Sequence, residues 1–436
     1  MDSLAVIGLG YVGLPLAVQA AEKGYTVTGI DLNGPLVDMV NRQESPYVND
    51  VRFEQALKRV DKTRLTATTE ISSVTDVSNI VICVPTPTEN NIPDLTYVTQ
   101  AAAQIAAFIK PGQLISLEST VNPGVTRDDV LPILESISGL KVGKDFFLAH
   151  CPERIDPGND KFFVGNLNRV VGGITPECTK RAVDFYASVI DANIIALNST
   201  EEAEFVKSWE NSHRNVMIAL ANSAAIICDA LDMDIDSVLT GLQSKVDQFG
   251  LKLATPGIGP GGHCIPEDIH YVIKKARENG IDTRFLDDAA ELNDRMPQYA
   301  VHHLSTMVSG NGEKLGDLRV ALLGLAYKPN IADVRRSPSI EVGYQLMRKA
   351  KSVVTHDPFV SSDNQLIKGI DSVKSIDEAL QGADVVFLAT GHDAYREALT
   401  TDKLKQFGIR YVFDGRNALS KGELVKGGIY YSGIGK

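Results

Sequence analysis

Two pairs of side chains, each four residues apart, have the types and spacing for chemistry at a carbonyl carbon. Cys264 closes the stretch Pro256-Gly257-Ile258-Gly259-Pro260-Gly261-Gly262-His263-Cys264, and Asp268 follows it by one helical turn. Pro266 is expected to mark a helix start, and a thiol near a helix N-terminus is held towards the thiolate, its nucleophilic form. If the helix has begun at Cys264, that thiol and Asp268 share a face. Lys207 and Asn211 form the second pair, inside a long helical pattern. One ammonium and one amide on a face can orient a hydroxyl and then stabilise an oxyanion. Each residue also has a plainer reading. A free cysteine is usually a small buried hydrophobe, as Cys83 in Ile82-Cys83-Val84 and Cys228 in Ile226-Ile227-Cys228 read. A helical lysine is usually solvated, and an aspartate near a helix start is often only a cap. Spacing alone leaves both readings open.

The segment Val6-Ile7-Gly8-Leu9-Gly10-Tyr11-Val12-Gly13 follows an expected strand and opens an expected helix. Gly8 permits the tight turn, Gly10 lets the backbone approach a pyrophosphate, and Gly13 allows close packing of helix on strand. The helix N-terminus adds partial positive charge for the phosphates. Asp31 ends the second expected strand, at about the 20-residue offset of a dinucleotide fingerprint. An acid there accepts from a ribose 2′-hydroxyl and repels a 2′-phosphate. Leu32 and Asn33 supply no cation for that phosphate, so the cofactor expected is NAD. The alternative is a bare glycine turn beside an exposed aspartate.

These residues need elements to hold them. Strand-sized apolar runs fall at 4–7, 26–30, 79–84, 113–117, 146–149, 169–172 and 193–197, with helical patterns at 10–23, 96–109 and 125–137 among them. Such alternation predicts a mostly parallel, doubly wound sheet. From 200 to 230 the pattern is helical without Gly or Pro. So long a helix is expected to join two domains or pair with a second copy of itself. Further helical patterns cover 266–278 and 283–294. Alternation then returns at 319–323, 352–355, 384–389 and 410–413, a second and smaller α/β domain too loosely like the first to count as a repeat. The expected organisation is an α/β chain of three parts: 1–198, 199–305 and 306–436. The outer two are Rossmann-like and the middle is helical.

At 436 residues the chain is too long for one ordinary domain. Its net charge of −12 argues against a general nucleic-acid or membrane-surface binder. No apolar run is long enough to span a bilayer, and the start enters directly into Leu4-Ala5-Val6-Ile7, so a cytoplasmic protein is expected. The cysteines at 83, 151, 178, 228 and 264 contain no C-x-x-C, which fits reduced thiols and argues against a disulfide framework. No His/Cys/carboxylate cluster has ligand spacing, so no metal is expected.

Seven ordered segments make the chain resemble the UDP-glucose/GDP-mannose dehydrogenase family over essentially its whole length. They are the Gly8 to Gly13 turn, Val84-Pro85-Thr86-Pro87-Thr88, Glu118-Ser119-Thr120, Cys151-Pro152-Glu153-Arg154, Lys207-Ser208-Trp209-Glu210-Asn211, Gly261-Gly262-His263-Cys264 through Asp268, and Gly324-Leu325-Ala326-Tyr327-Lys328-Pro329. The resemblance implies an NAD-dependent oxidation of the C6 alcohol of a UDP-sugar to a carboxylate. It implies that Lys207, Asn211 and Asp268 deprotonate the hydroxyl through a water, and that Cys264 captures the aldehyde and becomes a thioester. Thr120, Glu153 and Asp268 would hold the hydrolytic water. Gly8, Gly10, Tyr11, Val12, Gly13, Asp31, Pro85, Thr86, Thr120 and Arg335 would face the cofactor. Glu153, Arg154, Lys207, Asn211, Gly261 and Lys328 would face the sugar nucleotide. Arg336 is a further cation beside them. The active site is expected in a cleft between the two α/β domains, and a homodimer through the long helix.

The Cys-Pro-Glu-Arg and Gly-Gly-His-Cys forms look like the UDP-N-acetylhexosamine branch, which implies a role in surface polysaccharide precursors. Arg154-Ile155-Asp156-Pro157-Gly158 looks closer to UDP-N-acetylglucosamine enzymes than to UDP-N-acetylmannosamine ones. UDP-glucose is the next alternative. Members of that branch often carry a His-Pro-Arg arginine that reaches the partner's sugar site. Here the region reads Gln248-Phe249-Gly250-Leu251-Lys252, so Lys252 is a substitute point charge without the fork. Two rivals stand beside this reading. A β-hydroxyacid or 6-phosphogluconate-type dehydrogenase also has a Lys-x-x-x-Asn helix but needs no cysteine. A protein that only binds NAD would need neither.

Overall fold

A computed structural model describes residues 2–47, 51–89, 92–154, 163–249 and 253–436. They fall into two compact units, 1–210 with 270–275, and 211–269 with 276–436.

The first unit is built on β1 (Ser3–Ile7), β2 (Thr26–Ile30), β3 (Leu65–Thr68) and β4 (Asn79–Ile82). A separate two-strand ribbon follows, β5 (Thr88–Glu89) with β6 (Ile92–Pro93). Then come β7 (Leu114–Leu117), β8 (Phe147–His150), β9 (Arg169–Gly173) and β10 (Ile194–Ala196). The main sheet runs β10-β9-β8-β7-β4-β1-β2-β3. Among the described residues of this sheet, only the β8–β9 pair is antiparallel. The helices are α1 (Gly13–Glu22), α2 (Gly34–Asn41), α3 (Val51–Arg59), α4 (Thr96–Ala106), α5 (Leu131–Ser138) and α6 (Pro176–Val189). Side chains of β1 alternate between two cores: Leu4 and Val6 join one, Ala5 and Ile7 the other. A strand buried on both faces reads as a continuous apolar run, which is why it was visible in the sequence.

Register places the functional loops. Ile7 pairs with Ile30 and with Ile82, Ile82 with Leu117, and Leu117 with His150. The strands therefore end flush, and Gly8, Asp31, Cys83, Glu118 and Cys151 all begin loops on one carboxyl edge. Strand order reverses between β1 and β4, where open α/β sheets bind ligands.

The helix α7 (Thr200–Ala230) belongs to the first unit up to Glu210 and to the second from Asn211. After it come α8 (Ile235–Phe249), α9 (Cys264–Glu278) and α10 (Arg284–Gly310). The second unit's sheet contains β11 (Arg319–Leu323), β12 (Ser352–His356), β13 (Asp371–Ser372), β14 (Val385–Leu388), β15 (Tyr411–Asp414) and β16 (Tyr430–Gly433), with α11 (Pro338–Lys349) after β11. Its order is β13-β12-β11-β14-β15-β16, every pair parallel. The expected pair of doubly wound sheets with a helical middle is what the chain forms.

Two expected helix limits need correction. The helix expected over 283–294 continues to Gly310 through Pro297. Proline removes a donor from the ladder and leaves the Asn293 carbonyl without its usual partner. The Gly259 backbone packs there: a Cβ on Gly259 would stand 2.7 Å from that oxygen. Met296, Ala300, Val301, Leu304 and Val308 bury fully against the second core, which outweighs the lost hydrogen bond. The helix expected from Pro266 begins two residues earlier, at Cys264. A proline at the third position costs nothing, because first-turn N–H groups have no helical acceptor.

Candidate active site

In the first unit the glycine turn sits at the strand-order reversal. Gly8 has φ +91°, and a Cβ on it would lie 2.7 Å from the Cys83 carbonyl oxygen. A Cβ on Gly13 would lie 1.9 Å from the Gly8 carbonyl, so helix α1 packs against the turn only as glycine. Gly10 differs: nothing lies within 4 Å of its missing Cβ, which leaves the space a pyrophosphate needs. Leu14 N–H donates to the Gly10 carbonyl at 3.2 Å, so the helical turn begins inside the motif. Asp31 accepts from Leu9 N–H at 2.8 Å and Asn33 N–H at 2.9 Å, pinning the acid to the turn. Tyr11 is exposed and stacks on Tyr47, with ring centroids 4.8 Å apart, and the Tyr47 hydroxyl donates to Gly10 at 2.8 Å. Half-buried Val12 precedes α1. These residues fit a dinucleotide, with glycines where its phosphates approach and an acid at the end of β2.

The other loops on this edge carry Pro85, Thr86, Thr120, Glu153 and Arg154. Thr86 is buried and Pro85 exposed just beyond β4. Ser119 Oγ donates to the Val84 carbonyl at 2.8 Å, tying the Thr120 loop to the Pro85 loop. Glu153 Oε1 accepts from Arg154 N–H at 2.6 Å, and Glu153 Oε2 lies 2.7 Å from the Arg169 guanidinium. Arg154 pairs with Glu210 on α7 and donates to the Asn168 carbonyl at 3.1 Å.

Lys207 is half-buried on α7, one turn beyond Glu204. Fully buried Glu204 accepts from Gly124 N–H at 2.6 Å and Thr126 N–H at 2.8 Å. It thus docks α7 on the loop after Thr120, where a short π-helical turn, Thr126–Val130, precedes α5. Burial raises the Glu204 carboxyl to about 7 against the pull of these hydrogen bonds. His150, wholly buried beside Thr126 Oγ1 at 3.4 Å, is pushed down to about 3 by burial and stays neutral. Sequence reading missed Glu204, Arg169 and Glu210. The one available signal was charge inside apolar patterns, as in Arg169 opening a buried strand.

In the second unit, Cys264 occupies the first position of α9 and is half-buried, whereas Cys83, Cys151, Cys178 and Cys228 are buried. Burial raises the Cys83 thiol well above its ordinary value, consistent with an inert hydrophobe. Asp268 lies on the same face as Cys264, buried, and accepts from Asn211 Nδ2 at 2.6 Å. A ladder of amides supports this corner. Asn215 Nδ2 donates to the Ile265 carbonyl at 3.1 Å, Asn293 Nδ2 to Asn215 Oδ1 at 2.9 Å, and Asn222 Nδ2 to Asn293 Oδ1 at 2.9 Å. Asn222 Oδ1 then accepts from Gly257 N–H at 2.9 Å. Both ends of the Gly-rich loop are therefore held by one buried chain.

Gly261 has no room for a side chain: its Cβ would lie 2.5 Å from Tyr327 Cβ and 2.9 Å from Pro338 Cδ. Gly262 N–H donates to the Arg335 carbonyl at 3.0 Å. The Arg335 side chain pairs with Asp333, whose hydrogen bond, with Asp333's charge, raises the guanidinium pKa further. Glu267 takes both Arg336, at 3.0 Å, and His263, at 3.2 Å. Burial is the main reason His263 is lowered, with Glu267 opposing. Lys328 is half-buried on the turn after Tyr327, and Asn330 N–H beyond it donates to His392 Nδ1 at 2.9 Å. Lys252 falls outside the described residues.

The second sheet repeats the first one's device. Gly324, at φ +90°, follows β11 as Gly8 follows β1. Asp357 follows β12 as Asp31 follows β2, and accepts from Leu325 N–H at 2.7 Å. The likeness sits in strand order and turn geometry, which the residue types hide. Here the acid is enclosed: His392 Nε2 stands 3.1 Å from Asp357, and both are fully buried.

Two Rossmann-like sheets, one with an open dinucleotide turn, and a thiol at a helix start define the class as an NAD-dependent oxidoreductase. Three models of the UDP-glucose/GDP-mannose dehydrogenase family match in order: the NAD binding domain over residues 2–190, the central domain over 201–295 and the UDP binding domain over 321–421. Two curated relatives are similar over nearly the whole chain. UDP-N-acetyl-D-mannosamine dehydrogenase of Pyrococcus horikoshii is 32% identical, covering 99% of each chain. UDP-N-acetyl-D-glucosamine 6-dehydrogenase of Pseudomonas aeruginosa is 32% identical, covering 93% of this chain and 94% of that one. The solved structure of the Pyrococcus horikoshii mannosamine enzyme superposes with a TM-score of 0.89 at 31% identity, covering 99% of each chain. The chain belongs to the UDP-glucose/GDP-mannose dehydrogenase family. It is an NAD-dependent nucleotide-sugar dehydrogenase.

Proposed function

We propose that this enzyme oxidises the C6 alcohol of a UDP-N-acetylhexosamine to a carboxylate in two hydride transfers, through a thioester on Cys264. UDP-N-acetylglucosamine is the favoured substrate and UDP-N-acetylmannosamine the next. The observation that carries this reading is a half-buried thiol at the first position of α9, with the Asn211–Asp268 pair one turn away. The balanced reaction is RCH2OH + 2 NAD+ + H2O → RCOO− + 2 NADH + 3 H+.

Bound NAD supplies the hydride acceptor for both oxidations. Lys207, Asn211 and Asp268 deprotonate the hydroxyl through an ordered water, and the Lys207 ammonium stabilises the alkoxide. Cys264 Sγ bonds to the aldehyde carbon, which turns a poor hydride donor into a tetrahedral alkoxide that loses hydride readily. Thr120, Glu153 and Asp268 hold the water that cleaves the C–S bond, releasing the acid and the thiol. Arg154, Gly261 and Lys328, with Lys252, serve the sugar nucleotide, and Arg335 lies near the cofactor.

The sugar class is supported by the substrates named for the two relatives, which stand at equal identity, so identity does not rank the epimers. The ranking rests on the Arg154-Ile155-Asp156-Pro157-Gly158 segment. The domains proposed are 1–198 for NAD, 199–305 for catalysis and dimerisation, and 306–436 for UDP-sugar. A homodimer through α7 is supported by exposed Phe205, Trp209, Leu220 and Ile227 on that helix. A monomeric mass by light scattering would refute it. Among the described residues no helix is long and apolar enough to cross a membrane. The five free thiols support a reducing compartment such as the cytoplasm.

The test is NADH formed per sugar consumed with UDP-N-acetylglucosamine, UDP-N-acetylmannosamine and UDP-glucose in separate reactions. Two NADH per sugar with an N-acetylhexosamine is expected, whereas one NADH per sugar rules out the thioester route.

A further inference from the structure

Behind Glu153 lies a set of charges that the proposed chemistry leaves unused. Arg169, the first residue of β9, is fully buried between two carboxylates. Its Nη2 lies 2.7 Å from Glu153 Oε2, and its Nη1 lies 3.4 Å from Glu118 Oε2 and 3.5 Å from the Pro152 carbonyl. Glu118 is braced in turn. The Tyr186 hydroxyl, on α6, donates to Glu118 Oε1 at 2.8 Å, and Ser116 Oγ stands 2.9 Å from that hydroxyl. Cys83 Sγ, just past β4, faces Glu118 Oε2 at 3.9 Å, and buried Cys151, just past β8, is a further titratable group of the cluster.

A buried ion cluster is a poor source of stability, because desolvation offsets the attraction between its members. This one grips a group at the candidate site. Exposure rises from Arg169 at 0% and Glu118 at 1% to Glu153 at 7%, so Glu153 is the outermost of the three. Glu153 Oε1 accepts from the Arg154 backbone N–H, and Oε2 stands at ion-pair distance from Arg169 without an aligned hydrogen bond, so it is charge attraction that turns this oxygen towards the cluster.

We propose that Arg169, braced by Glu118 and Tyr186, is the positioning residue for Glu153, turning that carboxylate to hold the hydrolytic water. The proposal rests on the reading of Glu153 given above. In the step it serves, the water oxygen bonds to the thioester carbon, a water proton passes to Glu153, and the C–S bond breaks. Its electron pair stays on Cys264 Sγ, which takes up the proton. Burial raises Glu118 to about 7 against the pull of Arg169, so the deep end of the cluster can take up a proton near neutrality while Arg169 stays charged.

The experiment uses the full-length enzyme, NAD and whichever UDP-N-acetylhexosamine yields two NADH, with rapid-quench measurement of acyl-Cys264. Arg169→Lys keeps a cation but loses the fork. Thioester hydrolysis is expected to slow at least about tenfold, the acyl-enzyme to accumulate, and KM for both substrates to stay within about twofold. The double variant Glu118→Gln/Arg169→Gln leaves no stranded buried charge at Glu118 and removes the cation touching Glu153. Its hydrolysis is expected to slow at least as much as that of Arg169→Lys, with KM for both substrates again within about twofold. A folded Arg169→Lys enzyme or a folded double variant that hydrolyses the thioester at the parent rate overturns the proposal.

Glu153→Gln separates the two layers of inference. If Glu153→Gln alone hydrolyses normally, the reading of Glu153 fails. If it is slow and Arg169→Lys slows it further by the same factor, Arg169 acts elsewhere and only the positioning proposal fails. If Arg169→Lys adds nothing in that background, the proposal stands.

Discussion

Glu204 offers the sharpest quantitative test of how the site is held. Its two oxygens accept the buried N–H groups of Gly124 and Thr126, one oxygen each. Glutamine at this position keeps one acceptor and turns an NH2 on the other donor. One amide is then unsatisfied in a dry site, which costs about 1–3 kcal/mol. The parent protein carries a pH dependence that the variant lacks. Burial raises the folded-state carboxyl to about 7, above its ordinary value of 4.5. A raised carboxyl means that the folded state binds more protons, so this contribution is fully present below the unfolded pKa and is lost as pH climbs through about 7. Between pH 8 and pH 5 the parent should gain about 2 kcal/mol relative to Glu204→Gln. For a unit of this size, that widens the difference in melting temperature by roughly 4–8 °C. The assay is paired thermal unfolding of parent and variant at both pH values, which cancels every titrating group they share. A difference in melting temperature that is the same at pH 5 and pH 8 would refute the assignment. Because Lys207 lies one turn on, kcat should fall with the variant at pH 8 even if its stability there is close to the parent's.

Gly261→Ala must push its new Cβ, 2.5 Å from Tyr327 Cβ, out of contact, and overpacking of this kind costs about 1–3 kcal/mol. The loop three residues before Cys264 then shifts, and a displacement near 1 Å lowers kcat by about a hundredfold; unchanged kcat would show that the loop does not set the thiol's position. Asn293→Ala strands Asn215 and Asn222 in the buried ladder, and destabilisation of about 2–4 kcal/mol is expected. Since Asn215 also holds the Ile265 carbonyl, iodoacetamide should alkylate Cys264 at a changed rate, and a parent rate would disconnect the ladder from the thiol.

The doubly wound sheets were legible because strands buried on both faces are written as short apolar runs, and β1, β2, β4, β7 and β11 fell close to where those runs predict. The edge strands β3, β13 and β16 were not singled out, since strands there are short and mixed in composition. The end of α10 was misread because proline marks a break only when nothing rewards continuing, and the apolar face beyond Pro297 does.

At the site the division follows the range of the interactions. Gly8, Gly10, Gly13 and Asp31 could be read directly, because a turn, a helix start and an acid after the next strand are local demands on residue type. The pairing of Cys264 with Asp268 depends only on helical spacing once α9 starts at the thiol. Nothing in the sequence joins Arg169 to Glu118 and Glu153, or Glu204 to Gly124, across separations of 51, 16 and 80 residues. Glu118 and Glu153 lie just past strands whose parallel pairing makes them end flush, Arg169 reaches that edge because β9 runs antiparallel to β8 and so starts there, and α7 carries Glu204 to the Gly124 loop. A buried charge can be tolerated only where such convergence supplies its partner. Residue types chose the chemistry, and the register of the sheet chose which residues hold it in place.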